Sequence, residues 1–176
     1  MYPFVRMGIE AWRARSLPPL GLLDTHESRV TIWPWDLDAW AELNNGRTLT
    51  LFDLGRIPLG IRTGLDRTLR EKRWGMTVAG STVRYRRRVV LFDRLSMRTR
   101  CIGWDRRFIY MEQSLWRGED CTGHLLLRSA IVGSGGIVDP AEAIGAMGQG
   151  GESPAFAPWV QAWIAAEAAR PWPPER

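Results

Sequence analysis

At 176 residues, 45% hydrophobic and 24% charged, the chain lies in the ordinary globular range and is long enough to bury a real core in one domain. Its formal charge of +5 is carried almost wholly by arginine, Lys72 being the only lysine; this reflects either genomic composition or a phosphate-bearing partner, since guanidinium groups clamp phosphates bidentately. No run approaches the roughly eighteen apolar residues of a membrane span, and Cys101 and Cys121 lack metal-like spacing, which fits reduced structural thiols in a cytosolic protein.

In chain order, MYPFVRMGIEAWRARS does not read as a signal peptide, because Arg6 and Glu10 break its apolar run. It reads as a helix over about 4–15. Phe4, Val5, Gly8, Ile9 and Trp12 form one stripe opposite Arg6, Arg13 and Arg15, suited to docking on the domain or a partner subunit, or else to a membrane surface. Residues 18–21 (PPLG) end it. Ser28 to Trp33 alternates as a strand, with Val30 and Ile32 on one face and Thr31 and Trp33 on the other. A polar turn at Asp36 and Asp38 leads to a helix from Asn45 whose apolar face is Leu49, Leu51 and Phe52. Pro58 should stop or kink that helix near Arg56, with a further turn through Arg62 ending at Gly64. Residues 66–73 make one or two exposed helical turns.

After Trp74 the pattern becomes extended. Strands are expected at about 76–90, 94–103, 106–117 and 122–133, separated by Phe92-Asp93, Gly103-Trp104-Asp105 and Gly118-Glu119-Asp120. Such short connections favour antiparallel neighbours. From Gly133 to Pro154 the Gly-, Ala- and Pro-rich chain reads as an exposed loop. A final helix spans Pro158 to Arg170, with Trp159, Trp163, Ala166 and Arg170 along one side.

A strand, a long apolar-faced helix and an antiparallel meander must pack helix against sheet. That is the order of an α+β hotdog fold: an antiparallel sheet wrapped around a long central helix, here with extra N- and C-terminal helices. The whole chain, 1–176, reads as one such domain, with its core at about 28–133 and a C-terminal extension from about 134. A lone sheet of this kind leaves an edge and a face exposed, so a homodimer or homotetramer is expected.

The stretch WPWDLDAWAELNNGRTLTLFDLGR is similar to the signature of four-hydroxybenzoyl-CoA-type and related acyl-CoA thioesterases, in which an Asp precedes an Asn-Asn helix start by a fixed distance and an acidic residue precedes an Arg. VAGSTVRYRRRVVLFDRL and FIYMEQSLW also look like that family's sheet. The resemblance covers about 28–133. It places Asp38 at the catalytic Asp position, Asn44-Asn45 at the Asn pair, and Asp53 with Arg56 downstream. Many members carry Gly-His where this chain has Ala41-Glu42; Glu42 either takes over a polar role of that His or faces solvent. The resemblance implies an acyl-CoA (or acyl carrier protein) substrate; the protein is also expected to be cytoplasmic, with no cofactor, no metal, no nucleic acid partner and no stable membrane insertion.

Thioester hydrolysis needs a base or nucleophile on one side of the carbonyl and donors for the developing oxyanion on the other. Asp38 supplies the carboxylate. The N–H groups near Asn45 and Gly46 point outward at the positive end of a helix dipole, and Gly46 lets a ligand approach the backbone. Asn44 orients the loop or the attacking water. Each residue also has a plainer role: Asp36 and Asp38 suit turns and caps, Asn44 and Asn45 suit an N-cap, and Asp53 with Arg56 suits a surface pair. Asp36 reads as structural.

In RYRRRV, an extended chain puts Arg84, Arg86 and Arg88 on one face, matched to coenzyme A phosphates, to nucleic acid or simply to water. His26 and His124 are isolated and lack metal spacing. The alternative to the enzyme is an inactive hotdog-fold acyl-CoA-binding or structural protein; a nucleic-acid module is the third class, and its aromatic-basic signatures are absent.

Overall fold

Apolar residues alternate along five stretches, and each forms a strand in the computed structural model, which describes residues 2–174. They are β1 (His26–Thr31), β2 (Gly75–Tyr85), β3 (Arg94–Trp104), β4 (Ile109–Arg117) and β5 (Asp120–Gly133); a short β6 (Gly136–Val138) folds back on β5. The sheet is antiparallel, in the order β1-β3-β4-β5-β2. Among the described residues five α-helices accompany it: α1 (Phe4–Ser16), α2 (Asn45–Thr63), α3 (Leu65–Lys72), α4 (Pro140–Ala146) and α5 (Pro158–Ala169). The sheet curls around α2, burying Leu51, Phe52 and Leu54 against Met97, Leu115, Leu125 and Leu127. This is the expected hotdog arrangement.

At Gly55, α2 lies directly against the sheet. A Cβ there would sit 2.7 Å from Met97 Sδ, and closer still to Thr99 Oγ1, so only glycine lets α2 lie this near β3.

α2 does not stop at Arg56. It runs unbroken through Pro58 to Thr63, where Gly64 takes the left-handed conformation (φ 82°) and closes it. An internal proline costs a helix ~3 kcal/mol, but each fully buried Leu or Phe returns ~1.5–3 kcal/mol. Leu51, Phe52, Leu54 and Leu59 are all buried on this helix, and their sum outweighs the proline.

α1 docks the other way round from its sequence pattern. Phe4, Val5, Ile9 and Trp12 are exposed (66%, 78%, 44% and 69%), while Ala14 is buried. Arg6, assigned to the outer face by the pattern, turns inward to an ion pair with buried Asp36 at 2.8 Å. A buried carboxylate that needs a cation decides the helix rotation over its apolar stripe.

The segment expected as a loop after Gly133 contains β6 and α4. Asp139 accepts a hydrogen bond from the Ala141 N–H (2.9 Å), and Pro140 follows at the first helical position, a strong helix start. α5 covers the convex face of the sheet, where Arg128 lies between the rings of Phe108 (4.8 Å) and Trp163 (5.6 Å) and reaches Glu167 at 3.0 Å.

His26 is buried on the concave side of β1 and contacts Arg62 Nη1 at 3.0 Å through Nδ1. Burial, and then the neighbouring Arg62 charge, pull it down from 6.5 to about 4. The unfolded chain therefore binds a proton that the folded one refuses. This contribution to stability is complete above pH ~6.5 and is lost as pH falls towards 4. Between pH 7 and 4.5 the protein should lose about 2–3 kcal/mol more than its His26→Gln variant, read from urea midpoints at the two pH values. Equal losses in both proteins would remove His26 from the acid response.

Candidate active site

The turn between β1 and α2 carries the two aspartates, and the fold separates them sharply. Asp36 has no exposed surface. Its carboxylate meets Arg47 Nε at 2.6 Å and Arg6 Nη2 at 2.8 Å, and accepts from the Trp33 N–H at 3.0 Å. Both oxygens are committed to structure.

Asp38 is half-buried at the tip of a small hairpin closed by the Leu37–Leu43 bridge and by its own N–H to the Glu42 carbonyl (2.8 Å). Its Oδ1 accepts from the N–H groups of Trp40 (2.9 Å) and Glu42 (3.3 Å). Oδ2 has no partner among the described residues. Ala41, in the middle of this turn, has φ 57°. That left-handed conformation favours glycine, which gives a backbone reason for the Gly of the related signature.

The hairpin feeds directly into α2. Asn44 is the N-cap: its Oδ1 accepts from the Arg47 N–H at 3.0 Å, and its own N–H is held by the Asp36 carbonyl. Of the first turn's donors, those of Asn45 and Gly46 meet no acceptor among the described residues, so they are free to face a ligand at the positive end of the helix. The turn that holds Asp38 thus leads into a corner formed by the helix start of Asn44, Asn45 and Gly46. Glu42 does not simply face solvent; it pairs with Arg88 at 2.7 Å.

The arginine row is different from the expectation. β2 ends at Tyr85, because the N–H groups of Arg86 and Arg87 both turn to the single Thr122 carbonyl. Arg84 remains on β2 opposite His124, on the convex face. Arg86 and Arg88 lie in the loop beyond. The small cleft beside Asn45 is lined by Tyr85, Arg87 and Arg88, so Arg87, outside the expected row, lines this cleft and Arg84 does not. Only the course of the loop, fixed by Thr122 far along the chain, reveals this.

A second carboxylate matters as well. Asp53 accepts from the Tyr2 hydroxyl at 2.8 Å and pairs with Arg56, which in turn donates to Gln113 Oε1 at 2.7 Å. Burial and then the Asp53 hydrogen bond push the Tyr2 phenol up to about 12. Both Asp53 oxygens are thus occupied. Asp53 and Arg56 also edge an apolar groove of about 280 Å³ between α2, α3 and the concave face of the sheet, which the sequence did not disclose. On the convex face, His124 meets Glu112 at 2.8 Å, and this bond, with help from Arg100, holds the Glu112 carboxyl at about 2. Cys101 is buried, with its thiol pushed up to about 11 by desolvation, and has no acid–base partner among the described residues. Among the described residues no cluster of three His, Cys, Asp or Glu side chains is placed to hold a metal, and no helix is long and apolar enough to cross a membrane.

A family model, the thioesterase-like superfamily, matches residues 32–164. The chain belongs to this superfamily. It is 31% identical over 134 residues to Protein THEM6 of Xenopus laevis, covering 74% of this chain and 65% of that relative. It is 37% identical over 78 residues to Protein THEM6 of Danio rerio, covering 44% and 39%. The chain thus spans less than two thirds of the length of these curated relatives. Among solved structures, a thioesterase from Thermus thermophilus, complexed with coenzyme A and Zn, aligns with TM-score 0.61 at 23% identity over 73% of this chain and 93% of that one. A probable thioesterase from Bartonella henselae aligns with TM-score 0.59 at 19% identity, over 66% and 98%. At these identities the structural likeness is one of fold, and it is the hotdog fold of thioesterases.

Proposed function

We propose that this thioesterase-like protein hydrolyses acyl-CoA or acyl carrier protein thioesters, with Asp38 as general base or nucleophile. One observation supports the reading: Asp38 keeps an oxygen without a partner among the described residues, in the turn that leads straight into the start of α2, where the N–H groups of Asn45 and Gly46 meet no acceptor among the described residues. In the base route, Asp38 takes a proton from water as the oxygen adds to the carbonyl. The oxyanion accepts from the two N–H groups, and collapse releases the thiolate, which takes up a proton, and the carboxylic acid. In the nucleophile route, Asp38 first forms an anhydride that water then opens. A single oxyanion donor is worth ~3 kcal/mol in the transition state. The coenzyme A bound by the Thermus thermophilus neighbour supports CoA as the carrier. A panel of acyl-CoA esters with free-thiol detection tests the reading; absence of thiol release across the panel would favour the inactive binding protein.

The corner arginines then serve the CoA phosphates. The triple change of Arg84, Arg86 and Arg88 to Gln should raise KM severalfold with a smaller effect on kcat. Given the loop's course, Arg88→Gln alone should give most of that rise, and unchanged kinetics in the triple variant would return these side chains to solvated surface.

The smallest working unit is a two-fold dimer. β2 ends the sheet with an open edge and only Met76, Gly80 and Val83 half-buried along it, and a second copy would pair there. A stable monomer by light scattering at micromolar concentration contradicts this.

A further inference from the structure

α1 presents its apolar stripe to the outside, and polar bonds hold it there. Arg6 reaches buried Asp36 at 2.8 Å, and the Tyr2 hydroxyl, just ahead of the helix, reaches Asp53 at 2.8 Å. The outer face is Phe4, Val5, Ile9 and Trp12, with exposed Arg13 and Arg15 where it ends. Glu10, the one acid of the helix, is partly covered and pairs with Arg13 at 2.8 Å. Half a turn about the helix axis would lay the stripe on α2, against which α1 packs, and each such side chain gains on burial. The fold forgoes that gain. Four large apolar side chains in one stripe leave several hundred Å² exposed, the size at which a surface patch marks an interaction site.

The stripe ends at a basic cleft. Arg15, one turn beyond Trp12, and Leu17, 44% exposed, line a cleft of about 570 Å³ between the end of α1, the α2–α3 junction and the end of α4. Arg62, Arg67 and Arg70 line it as well. Arg15 and Arg67 have no partner among the described residues. Arg62 meets only neutral acceptors, the Pro18 carbonyl at 2.9 Å and His26 Nδ1 at 3.0 Å. Of the two acids lining the cleft, Asp66 is matched by Arg70 at 2.9 Å, which leaves Glu71 against three arginines. Positive charge is in excess beside the apolar face.

We propose that α1 and this cleft dock the protein on an anionic phospholipid surface, with the apolar stripe set into the headgroup boundary and the arginines taking lipid phosphates. Charge selects this occupant. A second copy of the chain would bring the same basic surface against itself, and like charge opposes like. An anionic bilayer supplies the sign the surface lacks. The side-chain chemistry agrees, since tryptophan favours the headgroup level of a bilayer and guanidinium groups clamp phosphates. A helix of 13 residues, about 20 Å long, can lie in the interface and is too short to cross it. The docking does not depend on the hydrolase reading.

Vesicle flotation of the whole chain tests this. Binding is expected to vesicles of phosphatidylcholine with about a third phosphatidylglycerol, at least ~10-fold tighter than to phosphatidylcholine alone and weakened by high salt. Val5→Gln combined with Trp12→Gln should lower the partition coefficient at least ~10-fold. The melting temperature should hold, because both side chains point outward and Gln is the better helix former. Arg15→Gln combined with Arg67→Gln should abolish the preference for phosphatidylglycerol and leave the weak binding to phosphatidylcholine. Binding unchanged in both variants would put the membrane contact elsewhere and overturn the proposal. Wild-type protein that stays off both vesicles would overturn it too; if Val5→Gln with Trp12→Gln then splits an oligomer in light scattering, a second copy covers the stripe. A melting temperature raised by inorganic phosphate through Arg15 and Arg67, without vesicle binding, would make the cleft a site for a soluble anion and equally overturn the docking.

Discussion

Asp38→Asn should lower thioester turnover at least ~100-fold, the usual scale for losing a general base, while KM and thermal stability stay close to wild type. The amide oxygen of Asn can still accept from the Trp40 and Glu42 N–H groups that hold Oδ1, so the hairpin keeps its form and the N-terminus of α2 keeps its place. What disappears is the second, unpartnered oxygen with its charge, and neither a water proton nor an acyl carbon can be attacked without it. A loss confined to kcat is the signature of an interaction made in the transition state. Full activity in the variant would move the chemistry to Glu42 or Asp53. Of these, Glu42 is tied to Arg88 and Asp53 to Arg56 and Tyr2, so a freed base would have to come from Arg88→Gln or Tyr2→Phe, and those variants discriminate between them.

What was legible at this corner is its local bonding. Asn44 caps α2 through a bond three residues away, and the Asp38 turn closes on itself within four. Helix and strand positions followed from periodicity for the same reason. What the sequence hid depends on distant partners. α1 was visible as a helix, but its orientation was decided by Asp36, thirty residues from Arg6. The arginine run looked like a continuing strand, yet Thr122 ends it. Asp53 looked like half of a surface pair until Tyr2 and Gln113, brought from opposite ends of the fold, enclosed it with Arg56. Pro58 misled in the other direction: its local penalty is real, and burial along the rest of α2 exceeds it.

Asp36→Asn, two residues from the catalytic candidate, should do the opposite of Asp38→Asn: it should cost about 3 kcal/mol of stability, with turnover per folded molecule changed little. From sequence alone Asp36 is a turn residue, and the same change is expected to be nearly silent. Full burial alters that expectation. One carboxylate oxygen accepts from Arg47 and the other from Arg6 and Trp33, so an amide must turn its NH2 towards a donor on one side or the other. Breaking a buried pair typically costs about 3–5 kcal/mol, because the remaining charge is left uncompensated. Here Arg6 and Arg47 keep 20% and 12% of their side-chain surface exposed, and water reaching them holds the cost at the lower end. For a chain of this size the melting temperature should fall by roughly 6–12 °C. α1 should loosen first, since Arg6 is its inward anchor, and limited proteolysis should cut within residues 4–16 sooner than in the wild type. Arg6→Met alone should loosen α1 as well, yet cost less overall, because Arg47 still answers the Asp36 charge. A melting temperature for Asp36→Asn within a degree or two of wild type would mean that desolvation had cancelled the ion pairs, and α1 would then be held by packing alone.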